Sequence, residues 1–164
     1  MEVKIKLNGG VMPKKATEGA AAYDLYVPED VKLTGARQII DMKFAIALPT
    51  GYAATIQPRS GFSAKGIEIE EQYKGCDGAT RTEISRVESD VVRGLIDSDY
   101  RGDVGVILNH KFIAPTGNLR YIIKKGTRIA QMQIIEVPQV ELVEVEELSD
   151  TDRGQGGFGS TGSL

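Results

Sequence analysis

Five short polar clusters stand between apolar runs in this 164-residue chain. AAYDLY (21–26) sets Asp24 among apolar neighbours, and PRSG (58–61) puts Arg59, Ser60 and Gly61 in a turn-forming stretch. GLIDSDYRGD (94–103) holds Asp97, Asp99 and Asp103 around Tyr100, GTRIAQ (126–131) carries Arg128 and Gln131, and RGQGGFGSTG (153–162) threads Arg153 and Phe158 through glycines. Guanidinium groups, the hydroxyls of Ser60, Ser160 and Thr161, and glycine backbone N–H groups together suit a polyphosphate. Aspartates nearby can hold Mg²⁺ through water and activate a water molecule for attack. Each cluster alone has a plainer reading: Asp24 caps a turn, PRSG is only a turn, Arg128 forms a structural ion pair. It is the combination that points to chemistry.

The composition narrows that chemistry. His110 and Cys76 are the only histidine and cysteine, so a Cys/His zinc site within one chain is excluded. A Ser-His-Asp device would need His110, which follows VGVILN and reads as an ordinary strand-end residue. Hydrolysis would therefore rest on carboxylates and a hard cation. A net charge of −3 offers no general attraction to nucleic acid or membrane, so anion binding must be local. One cysteine forms no internal disulfide, which fits a reducing cytoplasm. No signal-like or membrane-length apolar run occurs, and a cytoplasmic protein with a single domain over 1–164 is expected.

The elements that must position these clusters are strands. VKIKL, FAIAL, YAATIQ, VGVIL, LRYII, IAQMQII and VELVEV are short apolar or alternating runs separated by NGG, LTGA, LPTG, APTGN and KKG. The spacing predicts an all-β sandwich, jelly roll or barrel. Residues 66–93 break the pattern, being strongly charged and weakly periodic, and a segment of that length between strands is uncommon. Within it, TEISRVESDVV fits a short helix with Thr82 as N-cap and Ile84, Val87 and Val91 on one face. A mobile solvated insertion and an interaction element are both open readings. The glycine-rich segment 151–164 is expected to be a flexible arm.

In this order the five clusters closely resemble the five motifs of trimeric dUTP diphosphatases (dUTPases), from about residue 13 to the end, the insertion excepted. The resemblance implies a jelly-roll or distorted β-barrel subunit and a homotrimer with three sites shared between chains. It implies hydrolysis of dUTP to dUMP and pyrophosphate with Mg²⁺ held by the phosphates and waters. Asp97 matches the aspartate that activates the attacking water, and Asp24 the one that supports the metal's water shell without ligating it. Tyr100 matches the tyrosine that packs on deoxyribose and excludes a 2′-hydroxyl. Backbone groups of a hairpin around Gly94–Ile96 and Gly105–Leu108, with Ile96 and Ile107, would read uracil.

Arg59, Ser60, Gly61 and Gln131 match phosphate-binding positions, and Arg128 an architectural one. In the arm, Arg153, Gly156, Gly157, Gly159, Ser160 and Thr161 match phosphate contacts, and Phe158 a lid over uracil. The extra segment between motifs two and three is similar to that of staphylococcal-phage dUTPases, a branch that also binds a repressor of mobile genomic islands. That implies a repressor partner contacted through 66–93, and the cytoplasm of a host cell. Two alternatives stand beside it: a dCTP deaminase-related enzyme, which shares related strands and a triphosphate site but is disfavoured by the RGQGGFGSTG arm and Asp97–Tyr100, and a catalytically silent nucleotide sensor.

Overall fold

The computed structural model describes residues 1–35, 37–112 and 115–156. Its strands, in chain order, are β1 (Lys4–Leu7), β2 (Tyr23–Tyr26), β3 (Val31–Lys32), β4 (Gln38–Ala47) and β5 (Tyr52–Gln57), followed by helix α1 (Ser60–Lys65). Then come β6 (Ile67–Lys74), β7 (Thr80–Val87), β8 (Ser89–Val92), β9 (Gly94–Ile96), β10 (Asp103–His110), β11 (Arg120–Ile123) and β12 (Arg128–Glu136). They form three four-stranded antiparallel sheets ordered β1-β4-β10-β8, β3-β11-β6-β7 and β2-β12-β5-β9. The fold is all-β and jelly-roll-like, as the strand pattern predicts.

Alternation makes the sheets. In β4, Ile40, Met42, Phe44 and Ile46 point inward and are buried while Asp41 and Ile39 face out. The inward sets of all three sheets meet in one core that includes Phe44, Leu25, Ile56, Leu108, Ile67, Ile69 and Ile129. Burial of apolar surface of this kind is the main force holding such a domain together.

A bulge in β4 reaches as far as the site. Lys43 adopts φ 53°, and its carbonyl accepts hydrogen bonds from the N–H groups of Asn8 and Gly10, each at 2.8 Å. A Cβ on Gly10 would lie 2.3 Å from the Met42 carbonyl, so only glycine fits this close approach. Asn8 then donates from Nδ2 to Asp103 Oδ1 at 2.6 Å, which fixes the start of β10.

Three expectations fail. TEISRVESDVV is not helical: it supplies β7 and β8. β7 pairs with β6 over eight rungs from Ile67 opposite Val87 to Lys74 opposite Thr80, turning at Gly75–Gly78. Cross-strand contacts decide this, among them Tyr73 to Glu83 at 2.6 Å, Ser85 to Glu71 at 2.5 Å and Arg86 to Glu68 at 2.9 Å. The base of this hairpin is core, because Ile67 and Ile69 are buried, as is Val91 on β8. PRSG is not only a turn, since α1 starts at Ser60 and buries Phe62. VELVEV forms no strand, and Val140, Leu142, Val143, Val145 and Leu148 lie exposed.

Candidate active site

One rung of the third sheet assembles the first half of the site. Asp24 on β2 lies opposite Gln131 on β12, which lies opposite Gln57 on β5. Residues directly opposite project to the same face, so all three side chains share it. The backbone of Asp24 is held from the other edge too, its N–H donating to the Lys14 carbonyl at 2.8 Å. Gln131 donates from Nε2 to the Pro58 carbonyl at 3.1 Å, which ties β12 to the start of the PRSG turn.

Arg128 joins this face through a bulge. Arg128 stands opposite Tyr26 and Ala130 opposite Leu25, so β12 carries one extra residue there. Without it, Arg128 and Gln131 would point to opposite sides, being three apart on a strand. Ile129 and Ala130 are accordingly both buried. The Asp24 carboxylate, only 6% exposed, is gripped from two sides. Arg59 Nε donates to Oδ1 at 2.7 Å and Arg128 Nη1 to Oδ2 at 3.1 Å. Asp24, Gln57, Arg59, Ser60 and Gln131, with Ala20–Ala22, line a polar cleft of roughly 260 Å³.

The second half lies where β9 and β10 separate. β10 pairs with β8 from Ile107 opposite Val92 to His110 opposite Ser89. That register, continued, would set Gly105 opposite Gly94. Instead the ladder stops and β9 turns to pair with β5. The expected uracil-reading hairpin is thus a splayed pair, with backbone edges of both strands facing a pocket of roughly 220 Å³. Gly94, Ile96, Asp97, Tyr100, Gly105 and Ile107 line it. Asp97 is exposed at its edge, at the head of a turn closed by the Tyr100 N–H to the Asp97 carbonyl at 3.2 Å. Tyr100 donates its hydroxyl to the Asp103 carbonyl at 3.0 Å, and a Cβ on Gly102 would lie 2.4 Å from that hydroxyl. Gly102 therefore sets how low the tyrosine ring can lie.

The two halves do not meet within one chain. From β2 to β9 is three strand spacings, about 14 Å, and the Gln57 rung lies about 10 Å along the strand from the Ile96 rung. Gly61 lines a third cleft with Arg59 and Arg128 rather than the Asp24 cleft. Arg153 folds onto its own segment, donating from Nε to the Gly156 carbonyl at 2.9 Å. Gly157, Phe158, Gly159, Ser160 and Thr161 lie outside the described residues. Gln57 was missed from sequence, although it directly precedes PRSG and its place on the Gln131 rung was open to a period-two count.

His110 takes no part in either half. It ends β10, buried, with Nδ1 2.9 Å from Ser89 Oγ and Nε2 without a hydrogen-bond partner. Burial pushes its imidazole pKa below the ordinary value of 6.5. No group of three or more His, Cys, Asp or Glu side chains able to hold a metal occurs among the described residues. Both oxygens of Asp24 are already engaged by guanidinium groups.

Comparison with known proteins gives the chain its family. The family model described as dUTPase matches residues 9–77 and 78–162, the break falling in the β6–β7 turn. The chain is 42% identical to the deoxyuridine 5'-triphosphate nucleotidohydrolase of Nautilia profundicola, over 99% of both chains. It is 38% identical to that of Paramecium bursaria Chlorella virus 1, over 98% of this chain and 96% of the other. Among solved structures, Staphylococcus bacteriophage 80alpha dUTPase with dUpNHpp aligns with a TM-score of 0.75 and 27% identity, covering 98% of each chain. These matches decide against the dCTP deaminase alternative. An aspartate at the edge of a backbone-lined pocket, a guanidinium-bound aspartate beside a polar cleft, and this likeness along nearly the whole length place the chain in the dUTPase family, as a dUTP-hydrolysing enzyme.

Proposed function

We propose that dUTP binds with uracil and deoxyribose in the β9–β10 pocket and its phosphates against a neighbouring copy's Asp24 cleft. The observation that carries this reading is the separation of the two halves within one chain. Uracil meets the open backbone edges of Gly94–Ile96 and Gly105–Ile107, where a fixed pattern of donors and acceptors distinguishes bases. The Tyr100 ring packs on the sugar. Arg59, Ser60, Gly61 and Gln131 hold phosphate oxygens, with Arg128 keeping Asp24 in place.

Asp97 accepts a proton from water, and the water oxygen forms its bond to the α-phosphorus. The bond from that phosphorus to the bridging oxygen breaks, and pyrophosphate leaves with the electron pair. Asp24 would hold the water shell of a Mg²⁺ brought by the nucleotide, and that ion would supply neutralisation of the developing charge. Donor chemistry supports this: Asp24, already paired twice, suits contact through water better than direct ligation.

The same reasoning calls for contact between copies, and the family resemblance makes that assembly a homotrimer. Val140, Leu142, Val143, Val145 and Leu148 are interspersed with glutamates yet lie exposed, as in a segment whose partner belongs to another copy. The segment then carries Arg153 and the glycine-rich arm over a neighbouring site, where Gly156, Gly157, Phe158, Gly159, Ser160 and Thr161 close on substrate.

The second role is regulatory. The 80alpha relative is described as controlling transfer of virulence genes by a proto-oncogenic G protein-like mechanism. The β6–β7 hairpin is the matching contact for a repressor: β7 is a sheet edge, open to a further strand, with Ile84 exposed among charges. The decisive test of the enzymatic reading is Asp97→Asn, measured by pyrophosphate release from dUTP. Hydrolysis should be lost while assembly survives. Near-normal turnover would remove Asp97 from the reaction, and steady pyrophosphate release by the wild type eliminates the silent-sensor alternative.

A further inference from the structure

A cleft of roughly 350 Å³ lies between α1, the base of the β6–β7 hairpin and the start of β12, and beyond Arg59 and Gly61 at its edge none of its lining is assigned to dUTP above. Its charged lining is Arg59, Lys65, Glu68, Arg86 and Arg128, with Thr127 beside them. Gly66 brings these together. It caps α1 with its N–H on the Phe62 carbonyl at 2.9 Å, at φ 71°. A Cβ there would lie 2.6 Å from the Val87 carbonyl, so only glycine lets the helix end and the hairpin base approach this closely. Lys65 and Arg86 are thereby set on the walls of one cleft.

The cations outnumber their partners. Arg59 and Arg128 share the single carboxylate of Asp24, and Arg86 donates to Glu68 at 2.9 Å and to the Gly66 carbonyl at 3.3 Å. Lys65 makes no ion pair among the described residues. Two positive charges are left in excess, on a lysine with three N–H donors and guanidinium groups with donors to spare. Guanidinium groups bind phosphoryl oxygens with planar, charge-assisted hydrogen bonds.

We propose that this cleft is a second oxyanion site, which takes a phosphoryl dianion as inorganic phosphate or pyrophosphate. Because Arg59 lines both clefts, occupancy here draws on a side chain that the dUTP reading assigns to the substrate. The site is thus coupled to nucleotide binding and rests on that reading only for the coupling. The hairpin base becomes part of the anion-handling surface, not merely a spacer.

The test is calorimetric titration of phosphate and, separately, pyrophosphate into the full-length protein, first saturated with dUpNHpp to fill the catalytic site. Uptake of either anion by the loaded protein is expected, and the arm that responds identifies the source. Lys65→Gln and Arg86→Gln should each weaken uptake about tenfold, the value of one charge-assisted hydrogen bond. Glu68→Gln frees Arg86 of its carboxylate and should tighten uptake, a gain that damaged folding cannot produce. No uptake of either anion, or uptake indifferent to both cation variants, overturns the proposal. Failure of dUpNHpp to bind would count against the dUTP reading alone, since uptake by the unloaded protein and its loss in the same two variants still decides this one.

Discussion

Asp24→Asn tests the centre of the phosphate half. The substitution keeps side-chain shape but removes the charge that receives Arg59 at 2.7 Å and Arg128 at 3.1 Å. Hydrogen bonds to charged groups contribute about 1.5–3 kcal/mol each, so the gross loss is roughly 3–6 kcal/mol. Two effects reduce it. The asparagine oxygen still accepts one bond, and the guanidinium groups, with side chains 25% and 46% exposed, regain water when released. A net cost of about 2–3 kcal/mol remains, below the 3–5 kcal/mol of a fully buried pair.

For a chain of this size that is a fall in Tm of roughly 5–10 °C, read by calorimetry at fixed protein concentration because assembly also shifts Tm. Arg128→Gln should cost only about 1 kcal/mol, since the half-exposed partner is lost while Arg59 still neutralises Asp24. The double variant should cost less than the sum, because both changes remove one contact. A Tm within about 2 °C of wild type for Asp24→Asn, or strict additivity with Arg128→Gln, would refute the view that Asp24 is an electrostatic anchor.

Three further outcomes follow. Truncation after Asp150 removes Arg153 and the arm while sparing every strand and the core, so the protein should fold and assemble yet hydrolyse dUTP poorly; full activity would reject the lid. Removing residues 66–93 outright would take Ile67, Ile69 and Val91 from the core, so the hairpin is better trimmed at Tyr73–Arg81 and closed by a two-residue turn. That variant should keep hydrolysis and lose repressor binding, and unchanged repressor binding would place the contact elsewhere. His110, the only histidine, is buried with its pKa held below 6.5, so the unfolded chain binds more protons as pH falls through that value. Stability present at pH 7 should decline below about pH 6.5, by at most about 1.4 kcal/mol per pH unit for one proton. Chemical denaturation of the wild type and His110→Phe over pH 5.5–7.5 reads this, and equal slopes would remove His110 as the cause.

The candidate clusters were legible because Asp24, Arg59 and Asp97 punctuate apolar strands in an order that matches a known family's motifs. The strands were legible wherever period-two alternation met a partner in the same chain, as in β4 and β5. Periodicity misled at TEISRVESDVV, where Ile84, Val87 and Val91 satisfy a helical stripe. Glu68, Glu71 and Tyr73 on β6 supply the complementary partners that make a hairpin instead. The β12 bulge was hidden for a related reason, since two adjacent buried residues, Ile129 and Ala130, read locally as ordinary apolar sequence.

VELVEV is the instructive failure. Its alternation breaks phase at Leu142–Val143, and it pairs with no strand among the described residues, because a strand is a relation between two backbones and the sequence specifies only one of them. The distance between Asp24 and Asp97 has the same origin. Asp24 lies on β2 and Asp97 just past the end of β9, at opposite edges of one sheet. In the proposed trimer one event resolves both: the exposed apolar segment finds its backbone partner on a neighbour, and the same packing brings one chain's phosphate cleft to another's pocket. Replacing Val140, Leu142, Val143 and Val145 by serine should therefore abolish assembly, read by light scattering, and hydrolysis together, with the subunit core left intact.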